Sequence, residues 1–347
     1  MRRLPIFFLV DVSESMVGEP IQQVEEGLAT IIQTLKTDPN ALETVWVSII
    51  AFAGQPKTLV PLQEIITFYP PKFPIGSGTS LSKGLGHLMH SLRKNIVKTT
   101  REQKGDWKPI VFLFTDGSPT DESSIAIKEW KQNWSKTANL IAVALGEGAD
   151  LSVLSELTDN VLLFKNTDTA AYKEFFKWIS DSIKARSEEL ESGQDSDMGF
   201  PLPEEVVSKI DVRKNRQQEN FVDDNFVVLL GKCKNTKRLY LMKYKKDVRP
   251  SDLGFNTLSY RLEGAFKVDN TYYELSEETK TSFKVNTEEL IGAPTCPCCG
   301  NQVAFAVCQC GGIHCFGGEQ VSICPWCGNE GTYGTGQGGF DVNRTQG

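Results

Sequence analysis

Apolar residues fall along this chain in two alternating rhythms. LPIFFLV, from Leu4 to Val10, is nearly all apolar, as a strand covered on both faces should be. Ile21, Val24, Leu28, Ile31, Ile32 and Leu35 then recur at helical spacing, with Pro20 at the start and Asp38-Pro39-Asn40 at the end. VWVSIIAF (45–52) is the next strand, and TLVPL (58–62) reads as an edge strand, because Pro61 cannot donate to a ladder. Leu81, Leu85, Leu88, Leu92 and Ile96 mark a second helix. PIVFLFT (109–115), LIAVALG (140–146) and VLLF (161–164) are further buried strands, interleaved with helices near 120–134, 151–157 and 168–186. This alternation predicts an α/β fold with a doubly wound, mostly parallel, Rossmann-like sheet over residues 1–186. Sites in such sheets form in loops beyond the carboxyl ends of the strands.

The pattern breaks at SEELESGQDSDMGFPLP (187–203), whose charged, small and proline residues predict a linker. Beyond it, FVVLLGKC and RLYLMKY flank the polar turn KNTK. LSYRLEGAFKV and TYYEL flank Asp269-Asn270 as an expected second hairpin, so residues 204–292 read as a small, mainly β unit. Residues 293–330 hold a cysteine cluster expected to form a zinc ribbon. Residues 331–347 are glycine-rich and expected to be a flexible tail.

A length of 347 residues suits two or three domains, and 40% hydrophobic content suits a real core. The net charge of -7 argues against nucleic acid, which needs a concentrated basic face. No apolar run approaches the roughly 20 residues that span a bilayer. MRRLPIFFLV mimics a signal peptide, but it runs straight into Asp11 with no small-residue cleavage site. The expectation is a buried strand at the start of a cytoplasmic protein without a membrane partner.

LPIFFLV ends in DVSES, which sets Asp11, Ser13 and Ser15 at alternate positions past a strand end. IGSGTSLSKG places Thr79 just before the second helix, and FLFTDGSPT places Asp116 at the end of its strand. Five oxygens with two carboxylates suit magnesium. The bland alternative is a strand-end turn, since Asp and Ser are ordinary turn residues. Together, DxSxS, a distal threonine and a TDG aspartate resemble the metal-ion-dependent adhesion site of von Willebrand A domains. That resemblance implies that Ser13, Ser15 and Thr79 bind magnesium or manganese directly, with Asp11 and Asp116 acting partly through water. It also implies that an acidic residue of a protein partner completes the octahedron.

Other candidates point elsewhere. His87 and His90 share a helix face without an evident third ligand and read as surface histidines. GKCKNTK opens no helix and is a hairpin turn, not a phosphate loop. Asp121 and Glu122 suit a helix start.

Eight of the nine cysteines lie between Cys296 and Cys327, four of them in two Cys-x-x-Cys pairs that suit thiolate metal ligands. Cys296 and Cys299, with Cys324 and Cys327, are expected to close one zinc tetrahedron. If Gly311-Gly312 is a two-residue turn, Cys310 pairs with Ile313 and Cys308 with Cys315. Cys308, Cys310 and Cys315 then share a face as a candidate second zinc site, with His314 pointing away. Cys233 and Cys298 are expected to be buried or spare thiols.

An A domain joined to a terminal cysteine ribbon resembles the TerY family of bacterial tellurite-resistance-associated proteins. That resemblance implies work beside a protein kinase and a metal-dependent Ser/Thr phosphatase in stress or defence systems. A non-enzymatic scaffold is the leading expectation, because no general base, nucleophile pair or phosphate cradle accompanies the oxygen site. The alternatives are an adaptor of an ATPase motor and a metal-dependent phosphoester hydrolase.

Overall fold

Strand β1 (Leu4–Asp11) is buried at every position, and its alternating side chains divide between two cores. Leu4, Ile6, Phe8 and Val10 enter one, and Phe7 and Leu9 enter the other. The computed structural model describes residues 2–102, 104–116, 118–145, 151–164, 169–191, 207–209, 224–250, 256–277, 283–319, 321–334 and 338–346. After β1 come α1 (Glu19–Lys36), α2 (Pro39–Thr44), β2 (Val45–Phe52), β3 (Pro56–Glu64) and α3 (Leu81–Asn95). These lead into β4 (Ile110–Thr115), α4 (Ser124–Asn133), β5 (Asn139–Leu145), α5 (Leu151–Leu157), β6 (Val161–Phe164), α6 (Thr169–Glu191) and β7 (Val207–Lys209).

The sheet order is β3-β2-β1-β4-β5-β6-β7, with parallel pairing from β2 to β6 and antiparallel strands at both edges. Residues from α1, α2 and α6 fill the first core, and residues from α3, α4 and α5 fill the second. The doubly wound α/β expectation is met. Strand order reverses at β1, which has β2 on one side and β4 on the other. The loops after these strands therefore splay apart and leave a crevice at their carboxyl ends.

One contact fixes how α1 meets α6. A methyl group added at Gly27 would overlap the ring of Phe176, which is buried and stacked on Phe114 at 5.9 Å. Helix propensity alone favours alanine over glycine by about 1 kcal/mol. Overpacking a buried ring costs about 1–3 kcal/mol. Gly27→Ala is therefore expected to lower the melting temperature, and a rise in a thermal melt would refute this packing argument.

The second half comprises β8 (Phe226–Lys232), β9 (Leu239–Pro250), β10 (Asn256–Val268), α7 (Tyr272–Leu275), β11 (Phe283–Asn286) and β12 (Leu290–Ile291). It continues with β13 (Val303–Val307), β14 (Ile313–Phe316), β15 (Val321–Ile323), β16 (Glu330–Thr332) and β17 (Asp341–Arg344). The expected β8–β9 hairpin is present. The expected pairing across Asp269-Asn270 is not: TYYEL forms α7, and β10 instead pairs along β9. TYYEL is too short for its apolar period to separate strand from helix, and its burial decides the outcome, with Tyr272 and Leu275 facing inward.

Three expected boundaries also shift. Helix α6 continues to Glu191, while residues 192–203 of the expected linker lie outside the described residues. The mainly β unit and the cysteine region share one six-stranded sheet, ordered β12-β10-β9-β8-β14-β13. The glycine-rich tail is partly structured: β16 pairs with β15, and β17 pairs with β11. Beyond β17, the Thr345 N–H donates to the Val228 carbonyl at 3.0 Å.

The two halves also share core. Val228, Leu239, Leu241, Val268, Tyr272 and Leu275 pack into the same apolar cluster as β1 and α1.

Candidate functional site

Asp11, Ser13, Ser15 and Asp116, four of the residues named from the sequence, are linked by hydrogen bonds where β1 and β4 end. Asp11 Oδ1 accepts from the Ser13 N–H at 2.9 Å, and its Oδ2 accepts from the Thr115 hydroxyl at 2.6 Å. The Ser13 and Ser15 hydroxyls lie 2.9 Å apart, and Ser15 Oγ donates to Asp116 Oδ1 at 2.8 Å. Thr79 arrives on the loop before α3. Its N–H donates to Thr120 Oγ1 at 2.8 Å, and the Thr120 N–H returns a bond to the Thr79 carbonyl at 2.9 Å. All five side chains are buried: Asp11 and Ser13 at 0%, Ser15 at 1%, Thr79 at 3% and Asp116 at 4% exposure.

Two carboxylates this deep repel one another and are poorly solvated, so a cation among them is strongly favoured. The donors are all hard oxygens, which suits magnesium or manganese and not a thiophilic metal.

The sequence reading missed the groups that hold this constellation. Thr115 orients Asp11, and Thr120 orients Thr79. By sequence, Asp121 suits the start of the helix that follows it. Instead it crosses to the start of α3, where its Oδ2 accepts from the Ser82 N–H at 3.1 Å, from Ser82 Oγ at 2.6 Å, and from Ser80 Oγ. A carboxylate at a helix N-terminus is favoured by the exposed N–H groups and the dipole, so Asp121 fixes the helix that follows Thr79. His87 pairs with the Thr58 hydroxyl at 2.7 Å, and burial together with His90 lowers its pKa. Neither histidine belongs to a metal-competent cluster among the described residues.

The cysteines form two groups of four, and their membership corrects the sequence reading. Cys233, Cys296, Cys299 and Cys315 make one cluster; Cys308, Cys310, Cys324 and Cys327 make the other, with sulfurs in each within 4.8 Å of one another. The pairs Cys296–Cys299 and Cys324–Cys327, expected to share one ion, lie in different clusters. Cys315 belongs with the first group, away from Cys308 and Cys310.

The reason is register. Strand β14 pairs parallel with β8 through Ile313↔Gly231 and His314↔Lys232, which brings the next residues, Cys315 and Cys233, side by side. Strand β13 ends its pairing at Val307↔Ile313, so Cys308 and Cys310 lie in the turn and not on the ladder. There Cys308 N–H donates to the Gly312 carbonyl and Gly311 takes φ +81°. Gly300 and Gly328 take φ +80° and +78° after Cys299 and Cys327. Each of these three glycines thus closes a tight cysteine turn in a conformation that side chains disfavour. Cys298 stays outside both clusters. His314 does point away, bonding the Cys315 carbonyl and the Tyr333 hydroxyl.

Sulfur–sulfur distances test the fit. Cys299–Cys315 is 3.7 Å, Cys315–Cys233 is 3.9 Å, and Cys308–Cys327 and Cys310–Cys324 are each 3.8 Å. A tetrahedron with zinc–sulfur bonds of about 2.3 Å has edges of about 3.8 Å. Backbone N–H groups of Lys234 and Trp326 already point at the Cys315 and Cys324 sulfurs, at 3.2 and 3.4 Å. Burial raises the thiol pKa of Cys296, Cys315 and Cys324, and brings Cys310 to about 12. Four thiolates cannot form so close together without a cation, and both clusters suit zinc.

The von Willebrand factor type A domain profile matches residues 6–178, and the TerY-C metal binding domain profile matches residues 223–347. Fold and sites thus define an A domain with an adhesion-type metal site, joined to a domain with two four-cysteine clusters. A domains generally bind proteins and are typically non-catalytic. The chain belongs to the TerY family.

Among solved structures it resembles proximal thread matrix protein 1 from the mussel byssus, at 20% identity and a TM-score of 0.39, over 52% of this chain and 48% of that one. The pilus adhesin SpaC from Lactobacillus rhamnosus GG matches at 15% identity and TM-score 0.43, over 54% of this chain and 31% of that one. A von Willebrand factor type A protein from Catenulispora acidiphila matches at 13% identity and TM-score 0.41, over 81% and 70%. The chain therefore spans about half or less of the first two relatives. No curated protein matches it in sequence. No helix among the described residues is long and apolar enough to cross a membrane.

Proposed function

We propose that this protein is a non-enzymatic scaffold that binds a protein partner through a magnesium or manganese ion. Asp11, Ser13, Ser15, Thr79 and Asp116 hold the ion, and an acidic side chain of the partner completes its shell. The observation that supports this reading is the hydrogen-bonded grouping of Asp11, Ser13, Ser15 and Asp116 at the carboxyl ends of β1 and β4, with Thr79 buried on the loop before α3. The ion supplies the site with a positive charge that attracts a carboxylate. The chain's own part is to hold the oxygens: Asp11 orients the first loop, and Thr120 anchors Thr79.

The two cysteine clusters carry zinc and stabilise the second domain. By family resemblance the partners are a protein kinase and a metal-dependent Ser/Thr phosphatase in a cytoplasmic tellurite-resistance, stress or defence system. The test is partner capture from a lysate of the native host, with magnesium and with chelator, using wild type and Thr79→Ala. Capture is expected only with magnesium and only for wild type. Equal capture under all conditions would leave the oxygen site without a binding role. Metal-dependent phosphoester hydrolysis lost in Thr79→Ala would replace the scaffold reading with an enzyme.

A further inference from the structure

The adhesion site is not open. Its five ligand side chains are at most 4% exposed, although they stand at a sheet edge where a partner would need access. The second domain packs against the loops that carry them. The Tyr272 hydroxyl donates to Glu14, the buried acid inside the DVSES loop, and Glu14 also accepts from Ser77 Oγ at 3.1 Å. Lys243, 2% exposed, donates to the carbonyl of Ser15.

The short segment after α7 then lies along the loop that carries Thr79. The Ser77 N–H donates to Ser276 Oγ at 2.9 Å, and the Glu277 N–H donates to the Ser77 carbonyl at 3.3 Å. Beside it, the Gln55 N–H donates to the Leu275 carbonyl at 2.8 Å. A methyl group at Gly76 would meet Leu275 Cβ at 2.6 Å, so the loop and the segment are in direct contact.

Resting on the metal reading above, we infer that Ser276–Glu277 is an internal occupant of the adhesion face, with Glu277 standing where a partner's carboxylate would enter. Glu277 carries a carboxylate beside the loop that holds Thr79. Its Oε2 would lie 3.6 Å from a methyl group at Gly78, the residue before Thr79. Its Oε1 lies 3.7 Å from Lys83 Nζ, which also donates to the Gly54 carbonyl at 2.9 Å. Lys83 thus ties the acidic side chain to the rim of the site. The chain as described is the closed form, and a partner reaches the ion by displacing this segment. Burying Glu14 and Lys243 in the same contact links the shape of the DVSES loop to the docking of the second domain.

The experiment uses the full-length protein and manganese ion alone, read by water-proton relaxation. Wild type is expected to hold its manganese with few exchanging waters. Glu277→Ala is expected to raise the relaxivity per bound ion by about 1.5-fold, as water enters a position the acid had covered. Added acetate, a minimal carboxylate, should reverse that rise and leave wild type unchanged. Glu277→Gln, which keeps the shape, should change in the same direction by less. A thermal melt matching wild type would establish that both variants fold. Bound manganese with the same relaxivity in wild type and Glu277→Ala would overturn the inference and leave the metal site standing. Wild type that binds no manganese would overturn both.

Discussion

Replacing Cys233 with serine is expected to remove one of two zinc ions per chain and to destabilise the second domain severely. Cys233 lies about 60 residues before the other cysteines, next to a hairpin turn, and a single ribbon site built on Cys296, Cys299, Cys324 and Cys327 would leave it idle. The structure places it against Cys315 at 3.9 Å. A structural zinc contributes an apparent folding free energy of about 10–16 kcal/mol at neutral pH. A domain's whole stability is about 5–15 kcal/mol, so loss of one site is enough to unfold its surroundings. Cys315→Ser should behave in the same way. Cys327→Ser should lose the other ion, and Cys298→Ser should keep both. Metal analysis of protein purified under reducing conditions decides the matter: a wild-type stoichiometry of one, or two ions retained in Cys233→Ser, would defeat the two-cluster assignment.

Asp11→Asn is expected to weaken manganese or magnesium binding by about 100-fold or more and to abolish metal-dependent partner capture. Asparagine is a better choice than alanine here. A sheet-edge position suggests that Asp11→Ala would spare the fold, but Asp11 is fully buried and holds the Ser13 N–H and the Thr115 hydroxyl. Alanine would strand both donors at about 1–3 kcal/mol each. Asparagine keeps the size and an acceptor for Ser13, and removes the negative charge that opposes the ion's. Titration calorimetry with manganese, alongside a thermal melt, separates loss of binding from loss of fold. Unchanged manganese affinity in a folded Asp11→Asn protein would end the case for this site.

The second prediction was legible from the sequence and the first was not, for a physical reason. Asp11, Ser13 and Ser15 are neighbours in the chain, and the tight turn that follows β1 keeps them together whatever the rest of the fold does. The strands and helices of the first domain were equally readable, since apolar periods report burial directly. Thiols carry no such local code. Every cysteine offers the same ligand, so spacing shows which two form a turn but not which turns share an ion. Parallel pairing of β14 with β8 decided that, by a register visible only once both strands are placed.

The cover over the adhesion site was hidden for a related reason. Glu14 stood in plain view inside DVSES, yet nothing in its neighbours says that Tyr272 lies against it. Lys243 sits in an apolar strand, where a lysine normally points to solvent, and is buried because β9 crosses the DVSES loop. The sequence by itself determined the elements of the A domain, the grouping of Asp11, Ser13 and Ser15 and the supply of thiols, because each of these depends on neighbours a few residues away. The tertiary structure alone decided which thiols meet and which domain closes the metal site, because both depend on contacts between segments up to about 260 residues apart, which no local pattern records.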